Sequence, residues 1–396
     1  MQSMSSIIAM AEHLLSDRFG NPVCFGNGID LSTSKRSLVY RFPIVEGSHE
    51  MTTSVIVKVV NPTEKAPYDP ASADTPAWTL FNEWAALQFL QQVLGADGLA
   101  PRLYAADRTA GMLIIEDLGE GKRLDQFLLG NDAQAAEQAL LDFAIVHGRL
   151  HTLTMQHSEE FAHLRESLGP GVWLRDDGRY TWIADVFHTA VTTLDIAPLA
   201  GVEEELEHVK EALAQPGPFR SFIQGDSCPD NCLYTPKGLY LIDFEGAIVS
   251  HALREGLYGR MHFPTCWCVY RLPDMVIERM EQVYRTELVK GCPAAADDAL
   301  YYRAVVDVCA FWIMDGFRTF SLSKLLQQDR WIIAASDRQR FMTRATIFVR
   351  TAEHFGYLPA LCGTMRSMLE RLHALWGIDE TAMAYYPAFA EEDRYE

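Results

Sequence analysis

The sequence has few basic residues for its length. The 396 residues include 34 lysines and arginines against 53 aspartates and glutamates, a formal net charge of −19. A protein that follows a nucleic-acid backbone needs excess positive charge along its binding groove. The composition therefore disfavours nucleic acid as a partner. The simplest account of the acidity is a solvated surface, and an acidic cleft that attracts a cationic substrate is the sharper alternative.

The chain also lacks long apolar runs and an export signal. No stretch approaches 18 uninterrupted apolar residues, the length of a membrane-spanning helix. Residues 1–10 contain no basic residue and no apolar run adequate for a signal peptide. We therefore expect no membrane segment and a cytoplasmic location, in which cysteines stay reduced. The cysteines are scattered, at positions 24, 228, 232, 266, 268, 292, 309 and 362.

Complete zinc motifs are missing as well. His262, Cys266 and Cys268 lie close together in sequence, without a second ligand pair at zinc-site spacing. His147 and His151 are spaced for one helix face, but the Glu that follows the first His in zinc proteases is absent. Packing inside the protein is the favoured role for both groups.

Two short stretches of the sequence do carry recognisable chemistry. The first, residues 224–231, presents Asp226 and, five residues on, Asn231; the second, residues 241–245, presents Asp243 at the end of an apolar strand-like run. In phosphoryl transfer one carboxylate orients the attacking hydroxyl, while an amide oxygen and a second carboxylate hold Mg²⁺ against the nucleotide phosphates. These residues predict an ATP-dependent phosphotransferase in which Asp226 is catalytic and Asn231 and Asp243 are metal ligands.

A lysine interrupts the β-branched run of residues 54–60. Lys58 would need an anionic partner if it were buried, and Glu83 stands near the start of the helical segment 78–94. The alternative is a lysine on the solvent face of a half-buried strand. We favour a Lys58–Glu83 pair, because such a pair fixes the α- and β-phosphates in protein-kinase-like enzymes.

The periodicity divides the chain into a strand-rich first part and a helical second part. A helix over residues 5–19 and five strands precede a hinge at Gly119 and Gly121, and we predict a five-stranded antiparallel sheet with one helix against it. The predicted strands cover residues 22–29, 37–44, 53–60, 99–106 and 111–119. The later predicted helices cover residues 133–155, 182–194, 201–214, 298–320, 337–355 and 358–376. The predicted fold is α+β and bilobal, with a nucleotide-binding lobe over residues 1–118 and a catalytic, mainly helical lobe over residues 119–396.

A glycine- and hydroxyl-rich turn joins the first two predicted strands. Residues 26–37 include Ser34 and end on basic residues, a composition suited to covering phosphates with backbone N–H groups. Ser34 is therefore a candidate nucleotide contact. An ordinary hairpin is the alternative, since Gly-Asn-Gly is a common turn and a Walker A motif is absent.

The order of these parts resembles the aminoglycoside phosphotransferase and choline kinase family, which shares a bilobal fold with protein kinases. The resemblance covers about residues 20–260. It implies that ATP and Mg²⁺ are cofactors, that Lys58 binds nucleotide phosphates with Glu83 as its partner, and that the backbone of residues 116–118, with Glu116 and Leu118, meets the adenine. It also implies that Asp226 receives the proton of a small-molecule hydroxyl, and that Glu245 is a companion of Asp243.

The sequence departs from the family pattern in the first stretch. Gln224 replaces the usual histidine, and residues 227–230 replace Leu-x-x-Gly. A small-molecule kinase is the leading interpretation, and a nucleotide-binding pseudokinase with a regulatory or scaffold role is the alternative. A protein kinase is disfavoured, because an Ala-Pro-Glu segment does not follow Asp243.

Candidate acceptor contacts follow Asp243, but they leave the acceptor open. Aromatic and acidic residues together suit a cationic amino alcohol or aminosugar, whereas the arginines argue equally for an anionic group. The candidates are Arg254, Glu255, Tyr258, Arg260, His262, Trp267, Tyr270, Trp312, Asp315 and Arg318. The oligomeric state is not predicted.

Overall fold

The first part of the chain is a helix and an antiparallel sheet. The computed structural model describes residues 3–32, 37–63, 65, 67–73, 76–95, 98–170, 180–378 and 383–390. The elements are α1 (Met4–Phe19), β1 (Cys24–Phe25), β2 (Ile29–Asp30), β3 (Ser37–Glu46), β4 (Ser54–Val60), α2 (Ala77–Leu94), β5 (Leu103–Asp107) and β6 (Met112–Glu116). The strand order is β1-β3-β4-β6-β5, with β2 also paired to β3, and neighbouring strands are antiparallel.

The sheet has six strands, one more than the sequence predicted. The strand predicted over residues 22–29 is two strands of two residues each, β1 and β2, and both pair with β3. Between them Gly28 lies against Phe42, and a Cβ at residue 28 would stand 2.2 Å from the Phe42 ring. The backbone can approach the ring this closely only at a glycine, so the strand is interrupted there.

The alternation along β4 decides where Lys58 points. Val55, Val57 and Val59 are buried in a small core beneath α1. Ile56 and Val60 pack on the opposite face, against the larger core to which α2 belongs. Lys58 shares that second face because side chains alternate along a strand, and it therefore points toward α2 and not into solvent.

The remainder of the chain is mainly helical. Its helices are α3 (Leu124–Leu128), α4 (Ala133–Thr154), α5 (Ser158–Leu168), α6 (Trp182–Leu194), α7 (Val202–Ala214), α8 (Leu253–Gly256), α9 (Asp274–Leu288), α10 (Asp298–Phe320), α11 (Leu322–Gln327), α12 (Asp337–Phe355) and α13 (Pro359–Trp376). Its strands are β7 (Lys122–Arg123), β8 (Arg220–Ile223), β9 (Cys232–Thr235), β10 (Gly238–Leu241), β11 (Ile248–His251), β12 (Trp331–Ile332) and β13 (Ala335–Ser336). The strands form the small sheets β10-β9-β7, β11-β8 and β12-β13, while α4 packs along α9 and α10 along α12.

The predicted α+β class, with a sheet followed by helices, is confirmed, and the six long predicted helices of the second part are present. Helix α9 was not predicted from the sequence, although its buried positions recur every three or four residues among charged neighbours: Val276, Ile277, Met280, Tyr284 and Leu288. The lobe boundary between residues 118 and 119 stays a prediction. Among the described residues, the helices are too short or too polar to cross a membrane.

Candidate active site

Lys58 and Glu83 form the predicted ion pair. Lys58 Nζ lies 2.5 Å from Glu83 Oε1 and 3.5 Å from Asp243 Oδ1, and both side chains of the pair are largely shielded from solvent. Burial opposes the lysine charge, but Glu83 and Asp243 outweigh it and raise the pKa of Lys58. Burial, with Asp243 and Glu245 nearby, raises the pKa of Glu83 against the pull of the ammonium. The alternative of a lysine on the solvent face of β4 is wrong.

Three carboxylates meet beside this ammonium. One oxygen each from Glu83, Asp243 and Glu245 lies within 4.8 Å of the others. Asp243 has φ +63°, a backbone conformation that is costly for residues other than glycine, asparagine and aspartate. Its Oδ1 is buried and, among the described residues, has no hydrogen bond besides the Lys58 ion pair. Clustered carboxylate oxygens with spare lone pairs fit a hard divalent cation such as Mg²⁺.

Asp226 and Asn231 face the same region from the preceding loop, residues 224–231, hereafter the catalytic loop. Asn231 Nδ2 donates to Asp226 Oδ2 (3.1 Å) and to the Asp226 carbonyl (3.0 Å). Both hydrogen bonds that the Asn231 side chain makes with the described residues use its Nδ2, so its Oδ1 remains the candidate metal ligand. Loss of hydration in the cleft, together with Asp243 and Asp230, raises the pKa of Asp226 to about 6. A carboxylate with a pKa near the working pH suits a group that must accept a proton.

Gln224 holds the catalytic loop against the segment that carries Asp243. Its Nε2 donates to the Ile242 carbonyl (2.6 Å), while the Ile242 N–H donates to the Asn231 carbonyl (2.9 Å). The N–H and the carbonyl of Ile242, the residue immediately before Asp243, are therefore both held by hydrogen bonds. Gln224 stands where the family pattern has a histidine. Its contact here is a hydrogen bond from the side-chain amide, which positions the loop without an imidazole ring.

The two segments cross at a pair of glycines. A Cβ at Gly225, where φ is +85°, would lie 1.9 Å from the Gly246 carbonyl oxygen, and a Cβ at Gly246 would lie 3.1 Å from the Gly225 carbonyl. Only glycines allow this contact between two backbones. The sequence shows both glycines, but only the tertiary structure shows that they face each other.

Glu255 is a site residue whose role the sequence analysis missed. Its Oε1 accepts the Gly225 N–H (2.7 Å), and its Oε2 accepts the Gln224 N–H (3.2 Å) and lies 3.0 Å from His151 Nε2. Burial opposes ionisation, but His151 and the nearby His147 outweigh it and lower the pKa of Glu255 to about 2. The carboxylate therefore stays charged and anchors the catalytic loop. A sequence signal for it is lacking, because His151 lies 104 residues away.

Asn82 is a second missed residue. It lies beside Glu83 on α2, and its Nδ2 donates to the carbonyls of Glu245 (3.0 Å) and Ala247 (2.7 Å). Its Oδ1 accepts from the buried Arg165 (3.1 Å). This amide ties the helix that carries Glu83 to the segment that carries Asp243, so the two halves of the site keep their spacing.

The predicted adenine segment is anchored through its middle residue. Asp117 Oδ2 accepts from Ser54 Oγ (2.6 Å) and lies 2.8 Å from Arg41 Nε. Glu116 is buried with its carboxylate on Arg102 (3.2 Å), which leaves only its backbone for a ligand, and Leu118 is half-buried.

The sheet register sets the spacing between this segment and the lysine. Val55 stands opposite Glu116, and Lys58 opposite Leu113. The three-residue offset along β4 is about 10 Å, and this is the spacing between the segment predicted to meet the base and the lysine predicted to bind phosphate. Ser34, predicted to contact phosphate, lies outside the described residues.

The prediction that all cysteines are reduced is wrong for two of them. Cys228, in the catalytic loop, forms a disulfide with Cys266, with Cα atoms 5.5 Å apart. The tertiary fold brings together residues 38 positions apart, a pairing that sequence spacing does not reveal. The remaining cysteines are free thiols. His262 Nδ1 accepts the Leu272 N–H (3.2 Å), which is the packing role expected of it.

A cavity of about 450 Å³ opens beside the catalytic loop, and we call it the acceptor cavity. Gly225 and Ser227, on either side of Asp226, line one wall. Six of the ten candidate acceptor contacts line it: Arg254, Glu255, Tyr258, Trp312, Asp315 and Arg318. The other four do not line it: Arg260, His262, Trp267 and Tyr270. Arg260 is paired with Glu281, and the Trp267 N–H donates to Asp230.

No protein-family model matches the chain, and no curated protein matches it by sequence. Its fold is similar to that of solved structures, all at low identity. A choline kinase from Cryptosporidium parvum Iowa II is 12% identical over 94% of this chain and 96% of that chain, with a TM-score of 0.47. A Plasmodium vivax ethanolamine kinase is 12% identical over 89% and 92%, with a TM-score of 0.46.

A third similar structure is APH(2'')-IIa in a ternary complex with streptomycin and ATP. It is 13% identical over 83% of this chain and 98% of that chain, with a TM-score of 0.45. These neighbours include the kinds of protein that the motif order resembles.

Proposed function

We propose that this protein is a small-molecule kinase that transfers the γ-phosphoryl group of ATP to a hydroxyl group. The observation that carries the proposal is that the Lys58 ammonium contacts the carboxylates of both Glu83 and Asp243, which also lie close to each other. Three carboxylates around one ammonium leave an excess of negative charge, which a bound cation would balance. Nucleotide phosphates and their cation are the ligand that uses both signs of charge.

Asn231 Oδ1 and the Asp243 carboxylate would hold Mg²⁺, with Glu245 as a further oxygen ligand beside Asp243. The cation would supply neutralisation of charge on the phosphates. Lys58 would contact the nucleotide phosphates, and Glu83 would keep its ammonium in place. The backbone of residues 116–118 would contact the base, at the other end of the spacing set by β4 and β6.

Asp226 would orient the acceptor hydroxyl from the edge of the acceptor cavity. The hydroxyl oxygen forms a bond to the γ-phosphorus, the bond from that phosphorus to the bridging oxygen breaks, and ADP leaves with the electron pair. Asp226 receives the hydroxyl proton late in this step. Most of the rate acceleration comes from positioning and electrostatics.

The pseudokinase alternative rests on Gln224 and on the altered residues 227–230, and the hydrogen bonds of Gln224 weaken the first of these grounds. Gln224 makes two hydrogen bonds that shape the catalytic loop, and Asp226, Asn231, Asp243 and Lys58 are all present. We therefore keep the enzyme as the proposed function.

The decisive variant is Asp243→Asn, because asparagine tolerates the positive φ of residue 243 and changes only the charge. We expect Mg²⁺-dependent ATP binding, measured by calorimetry, to weaken by at least about tenfold, and ADP formation to be abolished, as expected when a metal carboxylate is lost. The control is Asp297→Asn, at the N-cap of α10, which retains a capping side chain. Full turnover by Asp243→Asn at ordinary Mg²⁺ concentration contradicts the assignment.

A further inference from the structure

The acceptor cavity contains aromatic rings and acids, the ingredients of a site for a cation, yet the protein's own arginines already occupy them. The guanidinium of Arg254 lies 4.5 Å from the centroid of Phe311. That of Arg318 lies 5.0 Å from the ring of Trp182. A ring face covered by a guanidinium does not attract a second cation, because the favourable quadrupole is used and the two charges repel.

The carboxylates of the cavity are engaged in the same way. Asp315 is buried, and its Oδ1 accepts from Arg318 Nε (3.2 Å) and Nη2 (2.6 Å) while its Oδ2 accepts from Thr319 (3.3 Å). Glu255 is committed to the catalytic loop and His151. A substrate ammonium would find neither carboxylate free.

A second guanidinium stands behind Asp315. Arg344 is buried, and burial together with Arg340 lowers its pKa to about 10, against the favourable influence of Asp315. It is therefore still charged at neutral pH. Asp315 thus acts on both Arg318 and Arg344, with Asp337 as a further acidic influence on Arg344, so the charge of Asp315 is already compensated.

A guanidinium at the same end is open to solvent, since the Arg318 side chain is 59% exposed. Its Nε and Nη2 bind Asp315, and its Nη1 makes no hydrogen bond to the described residues. The indole N–H of Trp312 also has no acceptor in the described part of the chain, but it is buried from solvent. Donors in excess of acceptors call for a ligand that brings oxygen atoms.

We propose that the acceptor substrate is a hydroxyl compound that carries an oxyanion group, which Arg318 binds at the end of the cavity lined by Asp315, while the hydroxyl lies at Asp226. This inference rests on the proposed function, whose acceptor it specifies, and it excludes the cationic amino alcohols and aminosugars that the aromatic residues of the sequence would suit. The cavity of about 450 Å³ has room for a compound of monosaccharide size.

Three probes of one skeleton test the sign of the charge. Glucose, 6-amino-6-deoxyglucose and glucuronate share a ring and differ at carbon 6, so they compare a neutral, a cationic and an anionic group. Binding is measured by calorimetry with Mg²⁺ and a non-hydrolysable ATP analogue, and ADP formation is measured with Mg·ATP. We expect glucuronate to bind about tenfold or more tightly than the amino sugar, the scale of one charge-assisted hydrogen bond.

The variant Arg318→Gln removes the proposed oxyanion contact and releases Asp315. We expect it to weaken glucuronate binding about tenfold or more and to tighten binding of the amino sugar, so that the preference reverses. Loss of cavity shape alone would weaken all three probes together. The matched control is Arg366→Gln, which removes an arginine paired with Glu353 on the surface of α12 and α13 and should leave the preference unchanged.

Amino-sugar binding equal to or tighter than glucuronate binding by the unchanged protein overturns the inference. Binding of none of the three probes at millimolar concentration, or a preference unaffected by Arg318→Gln, overturns it as well. The proposed function fails separately, through absence of Mg²⁺-dependent nucleotide binding, and a glucuronate preference that survives this absence would leave the oxyanion site standing.

Discussion

At the scale of single residues, the two aspartates of the site, Asp226 and Asp243, have different electrostatic surroundings. Asp226 stands between Gly225 and Ser227, which line the acceptor cavity, and lost hydration and its acidic neighbours raise its pKa to about 6. Asp243 instead lies beside the Lys58 ammonium and the other carboxylates. The proposed proton acceptor and the proposed cation ligand are thus the same residue type in two different surroundings.

The variant Asp226→Asn is expected to lower kcat by about 10²-fold or more, because it removes a positioned base while its amide still fits the space. Nucleotide affinity should change little, since the proposed contact of Asp226 is with the acceptor hydroxyl. Steady-state kinetics and calorimetry with Mg·ATP measure the two effects. Asp297→Asn is the control, because Asp297 is the N-cap of α10 and asparagine keeps a capping side chain there. Collapsed ATP affinity with intact turnover would reverse the role given to Asp226.

Lys58 and Glu83 should act as one unit, since each compensates the charge of the other in a buried position. Lys58→Met and Glu83→Gln are each expected to lower kcat/KM for ATP, and the double variant should be scarcely worse than the more damaging single one. A double-mutant cycle on kcat/KM provides the measurement. Simple additivity of the two effects would show that the pair is not coupled in the nucleotide complex.

At the scale of elements, the site depends on two segments crossing at Gly225 and Gly246. Gly225→Ala would place a Cβ 1.9 Å from the Gly246 carbonyl oxygen, whereas Gly246→Ala would place one 3.1 Å from the Gly225 carbonyl. We expect Gly225→Ala to reduce turnover by at least about tenfold through displacement of the catalytic loop, and Gly246→Ala to reduce it less. Kinetics and thermal unfolding of both variants measure this order.

A control separates the clash from the cost of a positive φ. Gly20 has φ +69°, and no atom lies within 4 Å of the position that a Cβ would take there, so Gly20→Ala introduces the backbone strain alone, about 1 kcal/mol. It should lower the melting temperature slightly and leave kcat unchanged. Equal kinetic effects of Gly20→Ala and Gly225→Ala would refute the crossing as the cause.

At the scale of the whole molecule, buried neutral histidines couple stability to pH. Burial, with Arg254 and His151 nearby, lowers the pKa of His251 to about 3. Burial, with Arg271 and Arg260 nearby, lowers the pKa of His262 to about 3. Below an unfolded-state pKa of 6.5 the unfolded chain takes up protons that the folded chain does not. Stability therefore falls as the pH drops from about 6.5 toward 3.

Each of these histidines is expected to cost about 1.4 kcal/mol of unfolding free energy at pH 5.5 relative to neutral pH. Urea unfolding at pH 7.5 and 5.5 measures the loss. His262→Asn keeps an acceptor for the Leu272 N–H and tolerates the positive φ of residue 262, and it should remove one histidine's share of the pH dependence. The control His13→Gln, at an exposed position of α1, should retain the full dependence. An unchanged dependence in His262→Asn would rule out a neutral buried His262.

The parts of this protein that could be predicted from the sequence are those whose signals are local. The alternation of β4 and the spacing of apolar residues in α10 and α12 predicted those elements, because strand and helix periods are properties of neighbouring residues. The stretches around Asp226 and Asp243 predicted the candidate chemistry, and Lys58 with Glu83 predicted an ion pair that the structure contains. The nucleotide, metal and catalytic roles of these residues stay predictions.

The features that depend on distant residues meeting could be known only from the folded chain. Folding brings Glu255 to His151 and the catalytic loop, joins Cys228 to Cys266, and ties Asn82 to the segment after Asp243. It also covers the aromatic rings of the acceptor cavity with arginines, as Arg318 covers Trp182, and so favours one of two acceptors that composition leaves equal. The physical reason is that the local pattern of apolar residues determines which face of a helix or strand is buried. Which charged side chains pair with each other depends on how separate helices and strands pack together.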